Sequence, residues 1–252
     1  MGGRPLESPA VPPPSRFPLL RRRQVLLPTA WGWLFIVACA AIAALLAAQH
    51  AYRLLAPNAP VAGARVLVVE GWLDPADLDQ AVGALRAGHY ERVVTTGGPI
   101  VGWEAASGWK NYAERAADYL RRHGVVGVPV DAVPAPLSLQ ERTFLSAVMF
   151  REWLRTHAPQ VQAIDLYSAG PHARRSRVLF QMGLGPQVEV GVMAAEPRSY
   201  DARRWWTTSQ GAKAVLGEVI GLTWTSCCFW PGPPGSHEER WAVPPAGRPA
   251  GP

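Results

Sequence analysis

The fold of this chain is indicated most clearly by residues 163–182, which read AIDLYSAGPHARRSRVLFQM. Residues 163–167 form a short, mainly apolar run that is typical of a buried strand. Residues 177–182 favour a helix that stops at Gly183. The loop between them is therefore expected at the carboxyl end of a strand and the start of a helix, where open α/β sheets bind ligands.

This loop carries groups that suit an anion. Helix N-termini attract negative charge because free N–H groups and the macrodipole point outward there. His172, Arg174 and Arg175 add donors that match phosphate or carboxylate, Ser168 adds a hydroxyl, and Gly170-Pro171 restricts the backbone. We interpret the loop as a candidate binding site. A plain helix start with solvated arginines is the alternative that the sequence leaves open.

Strands and helices alternate on both sides of this stretch. The predicted strands cover residues 65–70, 92–96, 128–133, 163–167 and 187–192. The predicted helices cover residues 76–87, 109–123, 141–157, 177–182 and 207–223. Such alternation implies parallel strands joined by crossovers. We therefore expect an α/β sandwich with a mostly parallel sheet, forming one domain over residues 64–224.

The N-terminal region has the features of a membrane anchor. Residues 1–24 are rich in Pro, Gly and Arg and are predicted to be a disordered basic tail. The uncharged run from Trp31 to Ala48 is long enough to cross a bilayer, so we expect a transmembrane anchor over residues 25–54. A cleaved signal peptide is the rival interpretation. Arg22-Arg23 faintly resembles a twin-arginine export signal, but arginines that precede any membrane span give such a match by chance.

The charges around this anchor predict its orientation. Arginines precede the apolar run and only Arg53 follows it closely, which places the N-terminus in the cytoplasm. The main domain is then extracytoplasmic, on a single-pass protein of the inner (cytoplasmic) membrane. Residues 55–63 are predicted to be a Pro/Ala linker, and residues 231–252 a disordered Pro/Gly-rich tail.

Charge and cysteine content exclude several classes of protein. The net charge of the 252 residues is +6, but five arginines and one glutamate before residue 30 supply +4 of it. The remainder gives little support for nucleic-acid binding. Three cysteines cannot make a disulfide framework, and the neighbours Cys227 and Cys228 are not expected to bridge. No Cys/His spacing suggests zinc, and the sequence leaves the identity of any cofactor open.

Other predicted strands end in polar or glycine-rich segments. These are Glu70-Gly71-Trp72 after the first strand, Thr96-Gly97-Gly98 after the second, and Arg142-Thr143 in the segment after the third. In a parallel sheet they share one edge with His172, so we expect a composite site. Glu70 could be an acid/base group or an ion-pair partner of Arg142. Thr143 could donate a hydroxyl hydrogen bond or cap the helix beside it.

Two further observations narrow the choice of function. The chain has no Gly-Lys-Ser/Thr phosphate loop, no Gly-x-Gly-x-x-Gly dinucleotide fingerprint after the first strand, and no Gly-x-Ser-x-Gly nucleophile elbow. Trp205-Trp206 is interpreted as core packing, or as a lid on the membrane side.

The residues singled out above resemble the YdcF-like family, domain of unknown function 218, which includes the SanA- and ElyC-type envelope proteins. The resemblance covers residues 64–223 and is carried by Val68-Val69-Glu70-Gly71, Thr96-Gly97-Gly98, Glu114, Tyr119-Leu120, Gly124-Val125, His172, Arg174-Arg175 and Phe180. It implies a Rossmann-like three-layer fold behind one membrane helix and a role in cell-envelope integrity. The chain departs from the family pattern at Glu70-Gly71-Trp72, and Glu141-Arg142-Thr143 lacks the usual Asn, so it resembles a divergent member.

Three functions remain open at this level. The first is an envelope enzyme acting on a phosphorylated, lipid-linked or other anionic small molecule. In that hypothesis Arg142, Arg174 and Arg175 hold the anion, and His172 is the acid/base with Glu70 as its partner. The second is a non-catalytic module that binds a nucleotide-like or S-adenosyl ligand. The third is an envelope scaffold that acts through protein contacts.

Overall fold

The computed structural model describes residues 26–101, 108–123, 127–138, 141–236 and 238–240. The five strands are β1 (Val66–Glu70), β2 (Arg92–Gly97), β3 (Val130–Pro134), β4 (Ala163–Ala169) and β5 (Glu189–Ala195). The six α-helices are α1 (Ala30–Leu55), α2 (Pro75–Ala87), α3 (Tyr112–Arg122), α4 (Arg142–His157), α5 (Ala173–Leu184) and α6 (Ser209–Cys227). The predicted α/β fold is confirmed.

The sheet is parallel throughout and its strands lie in the order β3-β2-β1-β4-β5. Strands β1, β2 and β3 lie side by side in chain order, and β4 then pairs with the other side of β1. Parallel sheets of this type have a crevice where the strand order reverses, here between the carboxyl ends of β1 and β4. Glu70 is the last residue of β1, so the topology places it at this crevice.

Both faces of the sheet are covered, which gives three layers. Val66 and Val68 of β1 pack on one face with α4 and α5, where Phe150 and Phe180 are fully buried. The alternate residues Leu67 and Val69 pack on the other face with α2 and α3. Successive side chains of a strand point to opposite faces, so a strand that is apolar over four successive residues, as β1 is from Val66 to Val69, must be buried on both.

The loop predicted between β4 and α5 is shorter than expected. Strand β4 continues to Ala169, a 3₁₀ turn covers Gly170–His172, and α5 begins at Ala173. The Gly-Pro pair forms this turn instead of an open loop, because Gly170 adopts a φ of 32° and Pro171 fits the first position of a helical turn. Ser168 therefore belongs to the strand, and His172 lies directly before the helix.

The chain divides into two compact units, Met1–Ala44 and Leu45–Pro252. Helix α1 starts in the first, and among the described residues it is the one helix long and apolar enough to cross a membrane. This agrees with a single-pass anchor. The predicted basic tail, residues 1–24, lies outside the described residues.

The predicted linker after the anchor is packed against the domain. Leu55 is the last residue of α1 and is buried. Ala59 forms an antiparallel bridge with Val192 of β5, and the N–H of Val61 donates to Asp165 Oδ1 over 2.7 Å. We call residues 56–61 the strap. The strap, which lies within the predicted linker, is thus hydrogen-bonded to the domain at Ala59 and Val61.

The C-terminal region is also more ordered than its composition predicts. Phe229 is buried and meets Phe144 edge-on, with ring centroids 5.2 Å apart. Farther on, both Glu239 oxygens accept from Arg151 of α4 over 2.6 Å. Within the predicted tail, residues 231–236 and 238–240 are described and Glu239 ties them to α4, whereas residues 241–252 lie outside the described part of the chain.

The structure joins Cys227 and Cys228 in a disulfide, and the expectation that they do not bridge is wrong. Cys227 is the last residue of α6, whereas Cys228 has left helical geometry with φ −133°. The change of backbone conformation between them brings the two side chains together.

Candidate functional site

A cleft of about 780 Å³ opens at the carboxyl edge of the sheet, beside the crevice between β1 and β4. One wall comes from β1, the 3₁₀ turn, α5 and α6, and the other from the segments after β2 and β3 and the start of α4. Its lining includes Glu70, Trp72, Thr96, Gly97, Gly98, Tyr112, Ser138, Glu141, Arg142, Thr143, His172, Arg175 and Glu218. The predicted composite edge is thus present as one cavity.

Glu70 is a buried carboxylate at the base of the cleft, with 3% of the residue exposed. Its Oε2 accepts hydrogen bonds from Ser168 of β4 and, over 2.9 Å, from Ser176 of α5. Its Oε1 lies 3.9 Å from Nε2 of His172. A buried carboxylate is tolerated because hydroxyl donors replace the water that it lost. Glu70 is therefore fixed toward His172 rather than paired with Arg142.

His172 is held on its other side by Glu218, a residue of α6. The Nδ1 of His172 lies 2.9 Å from Oε1 of Glu218, and the Trp72 ring packs edge-on with its centroid 5.1 Å from that of the imidazole. Only 13% of the His172 side chain is exposed. The Nδ1 contact and the Trp72 ring fix the imidazole so that Nε2 faces the cleft and Glu70.

Arg175 completes this cluster from the next turn of α5. Its Nε donates to Oε2 of Glu218 over 2.8 Å, and its Nη2 donates to Oε1 over 3.2 Å. An ionised carboxylate only accepts hydrogen bonds and a guanidinium only donates them. We assign the proton to Nδ1 of His172, which then donates to the nearer Glu218 carboxylate; Arg175 Nη2, at 3.0 Å, could donate to Nδ1 only in the other tautomer. In the neutral ring Nε2 is then free to accept a proton.

The electrostatics of Glu218 agree with this assignment. Burial by itself raises the pKa of Glu218, but hydrogen bonds from His172 and Arg175 outweigh it and lower the pKa to about 2. Glu218 is consequently ionised at any physiological pH. A carboxylate fixed on Nδ1 in this way sets the histidine tautomer and orients the ring.

The two adjacent arginines point in different directions, as helix geometry requires. Arg175 lines the cleft, whereas Arg174 donates through Nε to the carbonyl of Leu54 and lines a separate groove with Pro57 and Met182. Assigning Arg174 to the anion site is therefore wrong. Arg175 lies three residues after His172 and shares its helical face, and its charge is already paired with Glu218.

The opposite wall is formed where α4 begins. Arg142 and Thr143 are its first two residues and both line the cleft. Within the described part of the chain, the exposed Arg142 makes no ion pair or hydrogen bond. Glu141 precedes it in the left-handed region, with φ 37°, and no side chain caps the helix there. Thr143 therefore presents its side chain to the cleft and does not act as the cap.

The remaining predicted residues have supporting roles. Thr96, Gly97 and Gly98 line the cleft, as the sequence predicts. Gly71 and Ser168 do not line it. The N–H of Gly71 donates to the Thr96 carbonyl over 2.6 Å, and Ser168 is buried behind Glu70.

Sequence reasoning missed Glu218, Ser176 and Trp72 as parts of the site. Glu218 is the only acidic residue among the 19 of the largely apolar helix α6, and this is a signal that could have revealed it. Nothing local links it to His172, because 46 positions separate the two. The described residues contain no group of three or more His, Cys, Asp or Glu that could hold a metal ion.

A scan against protein-family models finds no match for this chain, and a search of curated proteins finds none either. The resemblance to the YdcF-like family accordingly stays a prediction. The chemistry of the site rests on its geometry, which is an oriented imidazole between two carboxylates, with the guanidinium of Arg142 on the far wall.

Proposed function

We propose that this chain is a membrane-anchored enzyme of the YdcF-like type that performs acid–base chemistry on an anionic small molecule. The hydrogen bond between Nδ1 of His172 and the ionised Glu218 carries the proposal, since it leaves Nε2 toward the cleft as a base. The predicted orientation puts the cleft outside the cytoplasm, where a phosphorylated or lipid-linked envelope intermediate is the substrate class that we propose.

The proton transfer follows from the geometry. A hydroxyl group or a water in the cleft gives its proton to Nε2 of His172 while its oxygen forms a bond to the electrophilic atom of the substrate. The imidazolium then gives that proton to the leaving group as the bond between this atom and the leaving group breaks. The positive ring then lies between Glu218 at 2.9 Å and Glu70 at 3.9 Å, and both carboxylates stabilise it. General acid–base catalysis by a positioned histidine contributes typically 10²- to 10⁴-fold in rate.

The anionic part of the substrate is assigned to the α4 wall. Arg175 is neutralised by Glu218, and Glu70, Glu141 and Glu218 all line the cleft. Arg142, which pairs with none of the described residues, and the first N–H groups of α4 supply positive potential on the opposite side. A substrate would thus place its phosphate or carboxylate at Arg142 and its reacting bond at His172.

A second candidate is binding without turnover. The strand order β3-β2-β1-β4-β5, with a cleft at its reversal point, is the arrangement that nucleotide-binding sheets use. A nucleotide-like or S-adenosyl ligand would fit that layout, although the turn after β1 is Glu70-Gly71-Trp72 and not a glycine-rich phosphate loop.

The test uses the full chain in lipid nanodiscs and a panel of inorganic phosphate, sugar phosphates, nucleotides and polyprenyl phosphate. Arg142→Ala should weaken binding about ten- to a hundred-fold, because one charge-assisted contact is worth about 1.5–3 kcal/mol. Arg155→Ala, at the exposed far end of the same helix, is the matched control. His172→Gln should keep affinity and lose turnover.

The outcomes separate the candidates. Binding of a nucleotide with no product formed selects the second candidate. Failure of every ligand to bind the wild-type protein, or equal affinities for Arg142→Ala and Arg155→Ala, would remove the anion site.

A further inference from the structure

Helix α6 has one side that faces the cleft and another that faces solvent. Val215 is fully buried and Glu218 points into the cleft. On the outer side, Leu216, Ile220 and Trp224 recur every four residues and are 53%, 71% and 53% exposed. Residues at this spacing lie on one helical face. We call this face the α6 stripe; apolar surface of this kind marks an interaction site.

The α6 stripe adjoins the end of the membrane helix. Ala212, Val215 and Leu222 of α6 belong to the same apolar cluster as Ala48, Ala51, Tyr52 and Leu55 of α1. The indole N–H of Trp205, just before α6, donates to the carbonyl of Ala48 over 2.8 Å. These contacts all lie within the unit that begins at Leu45.

The depth of this contact in a bilayer follows from the sequence. About 20 helical residues cross the hydrocarbon core, and counted from Ala30 they end next to Ala48. The apolar run also stops there, because Gln49 and His50 follow. Tryptophan favours the boundary between lipid tails and headgroups. When α1 spans a bilayer from Ala30, this contact puts Trp205 and the start of α6 level with the headgroups.

Unpaired cations surround the α6 stripe. Arg203 and Arg204 directly precede Trp205-Trp206, and Lys213 lies on α6 itself; all three are exposed and make no ion pair within the described ranges. The acidic residue of the same turn is Asp201, whose side chain accepts from the Arg203 N–H. Basic side chains near a bilayer are attracted to anionic lipid headgroups.

We propose that the α6 stripe rests on the anionic bilayer that holds α1, as an interfacial helix with Trp206, Arg203, Arg204 and Lys213 among the headgroups. A second copy of the chain is a poorer occupant, since a two-fold contact through this face would bring the same cations together. The proposal depends on α1 being a membrane anchor and not on the chemistry of the cleft.

The test measures lipid contact at single positions in the full chain. In a Cys39→Ser background, Ile220→Cys and, as a second stripe position, Leu216→Cys are labelled with a small fluorophore without reductant, so that Cys227 and Cys228 stay joined. Glu91→Cys, at the opposite edge of the sheet, is the control. Each protein is placed in nanodiscs of neutral and anionic lipid with or without a nitroxide-labelled lipid.

Nitroxide should quench the labels at 220 and 216 several-fold more than the label at 91. Arg203→Glu with Arg204→Glu should reduce that quenching, whereas Arg155→Glu should not. Equal quenching at 220, 216 and 91 would overturn the proposal. Absence of quenching at the stripe together with crosslinking between copies through position 220 would overturn it in favour of a second copy.

Discussion

The Nδ1 atom of His172 lies 2.9 Å from Oε1 of Glu218, although 46 positions separate the two residues. The pair joins the turn after β4 to the middle of α6, and Arg175 fixes the same carboxylate from a third position. One acidic side chain thus holds together the histidine and arginine that give the site its charge pattern. Protonation of Glu218 should therefore lower the free energy of unfolding.

The first prediction concerns the stability of the protein between pH 4.5 and pH 2. The pKa of Glu218 is about 2 in the folded protein against 4.5 ordinarily, so the carboxylate stabilises the fold above pH 4.5 and loses this effect as pH falls toward 2. The unfolding free energy of the wild type should exceed that of Glu218→Gln by on the order of 3 kcal/mol at pH 6. Urea unfolding in mild detergent, followed by tryptophan fluorescence, would show the gap closing with acid. Glu91→Gln, which changes an exposed residue, should show no gap at any pH.

The second prediction separates the two adjacent arginines of α5. Arg175→Ala leaves the largely buried Glu218 with one of its three hydrogen bonds, the one from His172, and should cost about 2–4 kcal/mol of unfolding free energy. Arg174→Ala removes one hydrogen bond to the exposed Leu54 carbonyl and should cost about 1 kcal/mol or less. Thermal melting of both variants measures the difference. Equal losses would contradict the orientation of the two side chains.

The third prediction tests the close approach of the chain behind Glu70. A Cβ at Gly71 would lie 2.7 Å from the Thr96 carbonyl oxygen and press on the Tyr112 backbone, neither of which can move aside. Gly71→Ala should therefore destabilise the domain by about 1–3 kcal/mol and distort the cleft. Gly83→Ala, where a Cβ meets nothing within 4 Å on an exposed face of α2, should instead stabilise by about 0.5–1 kcal/mol.

The fourth prediction concerns the C-terminal segment. Glu239→Ala leaves Arg151, whose side chain is 11% exposed, without its carboxylate. Removing one partner of a buried pair costs about 3–5 kcal/mol, whereas replacing both by apolar residues costs far less. Unfolding free energies of Glu239→Ala and of the double variant Arg151→Met/Glu239→Leu give the comparison. Limited proteolysis should release residues after 228 faster from the single variant, and an unchanged cleavage rate would mean that the pair does not hold the segment.

The layers of the fold are predictable from the sequence because the signal is local. The apolar run at Val66–Glu70 and the helical spacing of Leu78, Ala81, Val82 and Leu85 each identify an element and its buried side. The shared edge then follows from parallel topology, which explains why Thr96, Gly98 and His172 line one cleft. Only the ends of the strands and helices differ from the predicted ones, as at the turn formed by Gly170 and Pro171.

The site chemistry is less predictable because it depends on contacts between distant segments. The choice between Arg174 and Arg175 could have been made from helix phase, since three residues bring a side chain back to the face of His172 while two do not. Glu218 could be marked as an acidic residue in an apolar helix, but its partners depend on how α6 packs against α5. The hydroxyls of Ser168 and Ser176 meet Glu70 only because β4 and α5 flank β1.

The strap limits how far the domain can move from the end of α1. Since Ala59 is bonded into the sheet edge at Val192 and Val61 to Asp165, no slack chain separates the end of α1 from β1. In a membrane, such a domain has no flexible linker that would let it move away from the bilayer surface. Its encounters with a membrane-borne substrate would be set by lateral diffusion in two dimensions, so the turnover of such a substrate should scale with its surface density in the bilayer rather than with its bulk concentration.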